Sequence, residues 1–239
     1  MDGIYNIYKE AGWTSFDVVA KMRGILHIKK IGHTGTLDPM ATGVLPVCVG
    51  KATKQVEAVA GEEKEYRAVM LLGVVTDTQD MTGQILSENP QLKPLPEDTK
   101  LRENAVREAV LSFVGEYDQL TPMFSARKVN GKKLVDLARK GIEVERKTKH
   151  IRILAIDIEK LELPRVTMKI TCSKGTYIRT LCHDIGQKLG CGACMESLIR
   201  TRVGRFCIED AIPLERLQEL ADRVNAGEAD AMDGIYEKV

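Results

Sequence analysis

The sequence predicts an α+β fold: a mixed, mostly antiparallel central sheet flanked by helices. Strand-like and helix-like stretches follow one another without a regular βα period. No GxGxxG or GxxxxGK[ST] string occurs, so a Rossmann or P-loop fold has no support. The chain has 239 residues, 44% of them hydrophobic, which supplies a core for one large domain or one domain with a small appendage.

Residues 3–8 (GIYNIY) read as a strand that ends before Gly12. Thr14 followed by Asp17 three residues later resembles a capping box. Val18, Val19, Met22, Ile25 and Leu26 then recur at helical spacing. Residues 44–49 (VLPVCV) read as a short buried strand that Pro46 assigns to an edge or a bulge. Residues 65–73 form a further strand, 76–83 a polar turn and 84–100, with Pro90, Pro94 and Pro96, an irregular connection. A helix is expected over 101–114, two strands over 151–162 and 165–172 joined at Leu163-Pro164, and helices over 176–189 and 213–225. No internal repeat and no membrane-length apolar run is present.

The six cysteines, without a secretory pattern at the N-terminus, are expected as reduced thiols of a cytoplasmic protein. Cys191 and Cys194 form a CxxC, but no second pair accompanies it, and small buried residues are the simpler reading.

Charge is unevenly distributed. Residues 121–152 hold ten Lys or Arg against three acidic side chains, an excess of seven, although the whole chain is only +1; the remainder is therefore acidic by six. Arg127, Lys128, Lys132, Lys133, Arg139, Arg146 and Lys147 lie in this stretch. Such asymmetry suits phosphate contacts, and a solvated surface is the plainer alternative.

The chemistry concentrates in residues 29–54, KKIGHTGTLDPMATGVLPVCVGKATK. Glycines at 32, 35, 43 and 50 permit close backbone approach, and Asp38 is the single acidic residue between 18 and 56. Pro39 restricts Asp38 to an extended backbone. Alone, this pattern also fits an aspartate closing its own turn.

GHTGTLDPMATGVLPVCVGKATK resembles the signature of the TruB family, the synthases that make pseudouridine at position 55 of tRNA. Further segments resemble the family in order: YKEAGWTSFDVV, KEYRAVMLLGVVTDTQD, TPMFSARKVNGKKLVDLARKGIEVERK and CSKGTYIRTLCHDIG. The resemblance implies a pseudouridine synthase fold over residues 1–210, with a basic RNA-gripping insertion at about 121–150. Residues 211–239 are expected as a C-terminal helix and a short acidic tail, without a complete C-terminal RNA-binding domain. It implies Asp38 as the catalytic carboxylate, Arg179 as its guanidinium partner and Tyr66 as the residue packed on the target base. His33 would hold the rearranged T-loop, and Lys9 would have a supporting role, although Glu10 follows it where the family often has proline. The expected enzyme is a monomeric isomerase that uses no cofactor or metal, needs no protein partner or membrane, and acts on the tRNA T-stem-loop by base flipping. The alternative is a non-catalytic tRNA-binding or folding factor on the same fold. Asp38 as nucleophile and Asp38 as general base both remain open.

Overall fold

The computed structural model describes residues 1–238. In chain order the elements are β1 (Gly3–Lys9), α1 (Ser15–Leu26), β2 (Ile31–His33), β3 (Thr42–Val49), α2 (Val56–Gly61), β4 (Lys64–Leu72), β5 (Val74–Thr76), β6 (Ile85–Glu88), α3 (Thr99–Leu111) and β7 (Gly115–Leu120). They continue with β8 (Lys128–Val129), β9 (Lys132–Lys133), α4 (Leu134–Ala138), β10 (Thr148–Glu162), β11 (Arg165–Cys172), α5 (Ile178–Leu189), β12 (Ala193–Val203), β13 (Phe206–Cys207), α6 (Leu214–Asn225) and β14 (Tyr236–Lys238). The chain divides into two compact units, Met1–Tyr66 with Leu198 onward, and Arg67–Ser197.

In the first unit the strand order is β14-β1-β3-β12, with β2 also on β3 and β13 on β12. All pairings are antiparallel except β3 with β12, which run parallel through Ile199↔Thr42 and Arg200↔Gly43. One face of β1 and β3 packs Tyr5, Ile7, Leu45 and Val47 against α1 and α6. The other packs Ile4, Val44 and Cys48 with Val59, Val203 and Phe206. Burial on both faces explains why VLPVCV is continuously apolar.

Pro46 is a correction to the edge-strand reading. It lies inside β3, opposite Asn6 of β1. Its carbonyl accepts from Thr34 N and Thr34 Oγ1, both at 3.1 Å, so its missing N–H points to that side and not to β1. This is where the β12 pairing has ended and the β2 pairing has not begun.

In the second unit the order is β4-β11-β10-β7, with β10 antiparallel to both β11 and β7. The stretch expected to be irregular holds a strand: β6 pairs with β5 in a separate hairpin. A second hairpin, β8–β9, turns at Asn130 and Gly131, both at positive φ. That is the geometry for which an Asn-Gly two-residue turn is selected. Among the described residues no helix is long and apolar enough to cross a membrane.

The capping box of α1 is realised. Asp17 N–H donates to Thr14 Oγ1 at 3.1 Å, and Thr14 N–H to Asp17 Oδ2 at 2.8 Å. Thr14→Ala should therefore lower unfolding stability by about 1 kcal/mol, read as an unchanged denaturant slope with a lowered midpoint. No change in midpoint would show that the cap carries no energy.

Candidate active site

In the first unit, the loop carrying Asp38 is fastened through the residues on either side of it. Buried Leu37 donates its N–H to Ser15 Oγ at 2.9 Å, at the start of α1. The Pro39 carbonyl accepts from Gly12 N at 2.8 Å and from Lys9 Nζ at 3.3 Å. Ala41 N–H closes a turn on the Asp38 carbonyl at 3.0 Å. Asp38 itself is half-buried. Gly12 sits at φ +83°, which an L side chain resists.

Lys9 is 0% exposed. Its three ammonium hydrogens meet three carbonyls: Trp13 at 2.6 Å, Glu10 at 2.9 Å and Pro39. Burial, and with it the charge of Arg200, lowers its pKa while the Asp38 carboxylate pulls it back up, leaving it at about 8. Lys9 is thus a brace for the Asp38 loop and an electrostatic neighbour of its carboxylate.

Arg200 is a site residue that the sequence reading missed. Register places Lys9 and Arg200 on either side of Gly43, in one row across β1, β3 and β12. Laterally paired residues share a sheet face, so two buried cations flank a position that has no side chain. A Cβ at Gly43, which has φ +103°, would collide with the Arg200 carbonyl, so no other residue fits. The Arg200 guanidinium, 1% exposed, donates to Val44 O at 2.7 Å and Gly35 O at 3.3 Å, tying together the two ends of the loop. No local sequence signal marks this role, because the partner strand is about 150 residues away.

His33 ends β2, half-buried, with Nδ1 lacking a hydrogen-bond partner among the described residues. Burial and then the Arg200 charge hold its pKa below the usual value, against a backbone hydrogen bond at Gly35, so the imidazole is neutral at pH 7. Tyr66 is buried on β4, the last residue of this unit's N-terminal stretch. Lys9, His33 and Asp38 are therefore gathered around Arg200 and the Gly12 turn.

Arg179 belongs to the second unit, in the first turn of α5, and is buried. Its Nη1 lies 3.7 Å from Asp80 Oδ2, its Nη2 donates to the Phe124 carbonyl, and its guanidinium carbon is 5.9 Å from the Tyr177 ring centroid. Asp80, in the TDTQDMTG turn, is the second residue the sequence reading missed. Its Oδ1 accepts from Thr82 Oγ1 at 2.5 Å, Thr78 Oγ1 at 2.9 Å and Thr82 N at 2.9 Å. The spacing TxDxT was the available signal: one carboxylate with a hydroxyl two residues to each side.

The basic stretch is a folded surface. Leu134 and Leu137 are buried, whereas Arg127, Lys128, Lys132, Lys133, Arg139 and Lys147 are exposed. Arg146 is half-buried and donates to the Thr121 carbonyl at 3.4 Å. Lys128 faces Lys133 directly across the β8–β9 hairpin. A like-charge pair in that position is destabilising by itself, which suits a surface that meets a polyanion. Cys191 and Cys194 are both buried, and burial raises both thiols, Cys194 to about 11. They are placed as packed neutral thiols.

Lys9 has a pH signature. Its folded pKa of about 8 lies below its ordinary 10.5, so between these values the unfolded chain holds a proton that the folded chain lacks. Stability contributed by this group must then rise with pH across that window. Wild-type stability from pH 8 to 10 should climb relative to Lys9→Met, measured as urea midpoints. Parallel curves would exclude the coupling.

The N-terminal domain of the TruB family of pseudouridylate synthases matches residues 23–178, and the C-terminal domain of tRNA pseudouridylate synthase B matches residues 179–235. The tRNA pseudouridine synthase B of Clostridium tetani is 52% identical over 219 residues, 92% of this chain and 73% of that protein. The protein of the same name from Geobacter sulfurreducens is 48% identical over 225 residues, 94% of this chain and 72% of its own. Among solved structures, the archaeal box H/ACA sRNP Nop10-Cbf5 complex matches with a TM-score of 0.68 at 30% identity, covering 95% of this chain and 56% of that one. A Cbf5-Nop10-Gar1 complex matches with a TM-score of 0.71 at 32% identity, covering 98% and 57%. This chain thus spans a little over half of those solved chains. A lone carboxylate on a doubly fastened loop, a buried arginine at a helix start and an exposed basic surface fall within the span of these matches, and the chain belongs to the TruB family of pseudouridylate synthases.

Proposed function

We infer that this protein isomerises uridine to pseudouridine in tRNA, and we propose Asp38 as the carboxylate that carries the reaction at position 55 of the T-loop. The observation that supports it most is the loop itself: its sole carboxylate is held by its neighbours, beside a braced lysine and a buried arginine. The N1–C1′ bond breaks, the uracil turns, and C5 bonds to C1′. The C5 proton goes to solvent and N1 takes one up. Atoms and electrons balance without a redox partner, so the chain's own groups suffice.

In this proposal the target base is extruded from the folded T-loop, which costs a few kcal/mol of stacking. Neutral His33 fills space beside the Gly32–Gly35 backbone, and Tyr66 offers its ring to the uracil. Arg179 supplies the guanidinium of the reaction, as the family resemblance implies. Asp80 orients that guanidinium. The exposed lysines and arginines of residues 127–147 grip the RNA backbone. The protein acts alone, as a cytoplasmic monomer whose six thiols stay reduced.

Purified protein should release tritium from a tRNA transcript labelled at uridine C5. Asp38→Asn should lower the rate by at least about a hundredfold, and a transcript lacking the T-loop uridine should release none. Equal release from Asp38→Asn refutes the assignment of the carboxylate. Tight binding with no release by the wild type would leave the chain a tRNA-binding factor.

Reversing charge at Lys132→Glu with Lys133→Glu should weaken tRNA binding and flatten the plot of log affinity against log salt, by roughly 0.7–0.9 for each phosphate no longer engaged. Unchanged affinity and slope would make the hairpin ordinary surface.

A further inference from the structure

Gln119, at the end of β7, is 1% exposed. Its side-chain amide is fully engaged. Oε1 accepts the Tyr177 N–H at 2.8 Å, and Nε2 donates to the Tyr177 carbonyl at 3.0 Å and to Tyr117 Oη at 2.6 Å. The amide thus imitates an extended strand against the backbone of one residue, 58 positions away. That residue is the N-cap of α5, and its own side chain makes no capping bond. The Tyr177 carbonyl also accepts the first helical bond, from Leu181 N at 3.0 Å.

The directions of these bonds leave little choice of residue. Only an acceptor can meet the Tyr177 N–H, and only donors can meet the Tyr177 carbonyl. The Tyr117 hydroxyl, accepting from Gln119, passes its own proton toward the Asp184 carboxyl, with which it is hydrogen-bonded. Each group has one role in the chain, which selects a single orientation of the amide.

Two residues beyond the braced position stands Arg179. Five residues beyond Gln119, the Phe124 carbonyl accepts from the Arg179 guanidinium. The segment 119–124 therefore holds the start of α5 at two points, the backbone of Tyr177 and the head of Arg179. The same segment leads directly into the basic surface.

We propose that Gln119 is a positioning residue for uridine isomerisation: it seats Tyr177 and, through the first turn of α5, sets the aim of the Arg179 guanidinium. The proposal rests on the activity inferred above. Gln119 touches no substrate, so its loss should appear in the chemical step and not in tRNA binding.

Gln119→Glu keeps the shape and the acceptor but removes both donors and sets an anion against the Tyr177 carbonyl. It should lower kcat for tritium release by about tenfold to a hundredfold, the scale of an ångström of misplacement. KM for tRNA should stay within about twofold, since uniform binding is untouched. Amide hydrogen exchange over residues 177–181 should quicken in the variant, which reads the brace without any turnover. Tyr117→Phe keeps both bonds to Tyr177 and removes only the hydroxyl that orients the amide; it should give a smaller fall in kcat in the same direction. It serves as the test if Gln119→Glu does not fold. Faster exchange with wild-type kcat would overturn the proposal, as would a fall in kcat that only follows the folded fraction measured by circular dichroism. A wild-type protein that releases no tritium would instead refute the inferred activity, with the exchange experiment still reporting on the brace.

Discussion

Two buried cations facing each other across a glycine set the terms for the first unit. Lys9, Gly43 and Arg200 lie side by side on three strands. Burying a charge is costly unless it is hydrogen-bonded and compensated. Both cations meet this by donating to backbone carbonyls of Glu10, Trp13, Pro39, Gly35 and Val44. Those carbonyls belong to the Gly12 turn and to the loop around Asp38. Solving the electrostatic problem of the two cations therefore also fixes the loop. Burial lowers the pKa values of Lys9 and His33, and the Arg200 charge adds to the fall of both.

The second unit follows a similar logic with a different counter-charge. Arg179 is buried near Asp80, whose carboxylate is saturated by the hydroxyls and amide of Thr78 and Thr82. A carboxylate bonded in this way stays in place. Around it, Gln119, Phe124 and Tyr177 hold the start of α5. In both units buried cations are held by backbone carbonyls, so neither depends on a flexible surface pair.

A reaction with no net gain or loss of atoms asks little of a protein beyond geometry and charge. That agrees with a chain whose distinctive features are held carboxylates, buried cations and one exposed basic surface. The basic surface differs in construction from the site. Only Leu134 and Leu137 anchor its outer part, and Lys128 and Lys133 repel each other across the hairpin. Phosphate contacts are long-ranged and tolerant of side-chain freedom, whereas the proposed chemistry at C1′ calls for a fixed carboxylate.

Much of the architecture was legible from residue patterns because it rests on local rules. The α1 cap followed from Thr14 and Asp17, several strands from apolar patterning, and the α+β class from the irregular order of elements. Pro46 was misread because a proline's tolerance depends on which side of the strand lacks a partner, and only the meeting of β2, β3 and β12 decides that. The β5–β6 hairpin was missed because the three prolines after it dominate its composition. The Asn130-Gly131 dipeptide carried the signal for β8–β9 without being used.

The resemblance to known synthases picked out Lys9, His33, Asp38, Tyr66 and Arg179, each in a recognisable string. Arg200 and Gln119 were not legible in that way. Their partners lie far off in the chain: Arg200 binds Val44 across 156 positions and Gln119 binds Tyr177 across 58. By itself the sequence determined which residues carry reactive groups and which segments become helix or strand, because both are set by side-chain chemistry and short-range periodicity. Only the tertiary structure decided which groups hold the reactive ones still, because hydrogen-bond partners and buried charge are properties of neighbours in space.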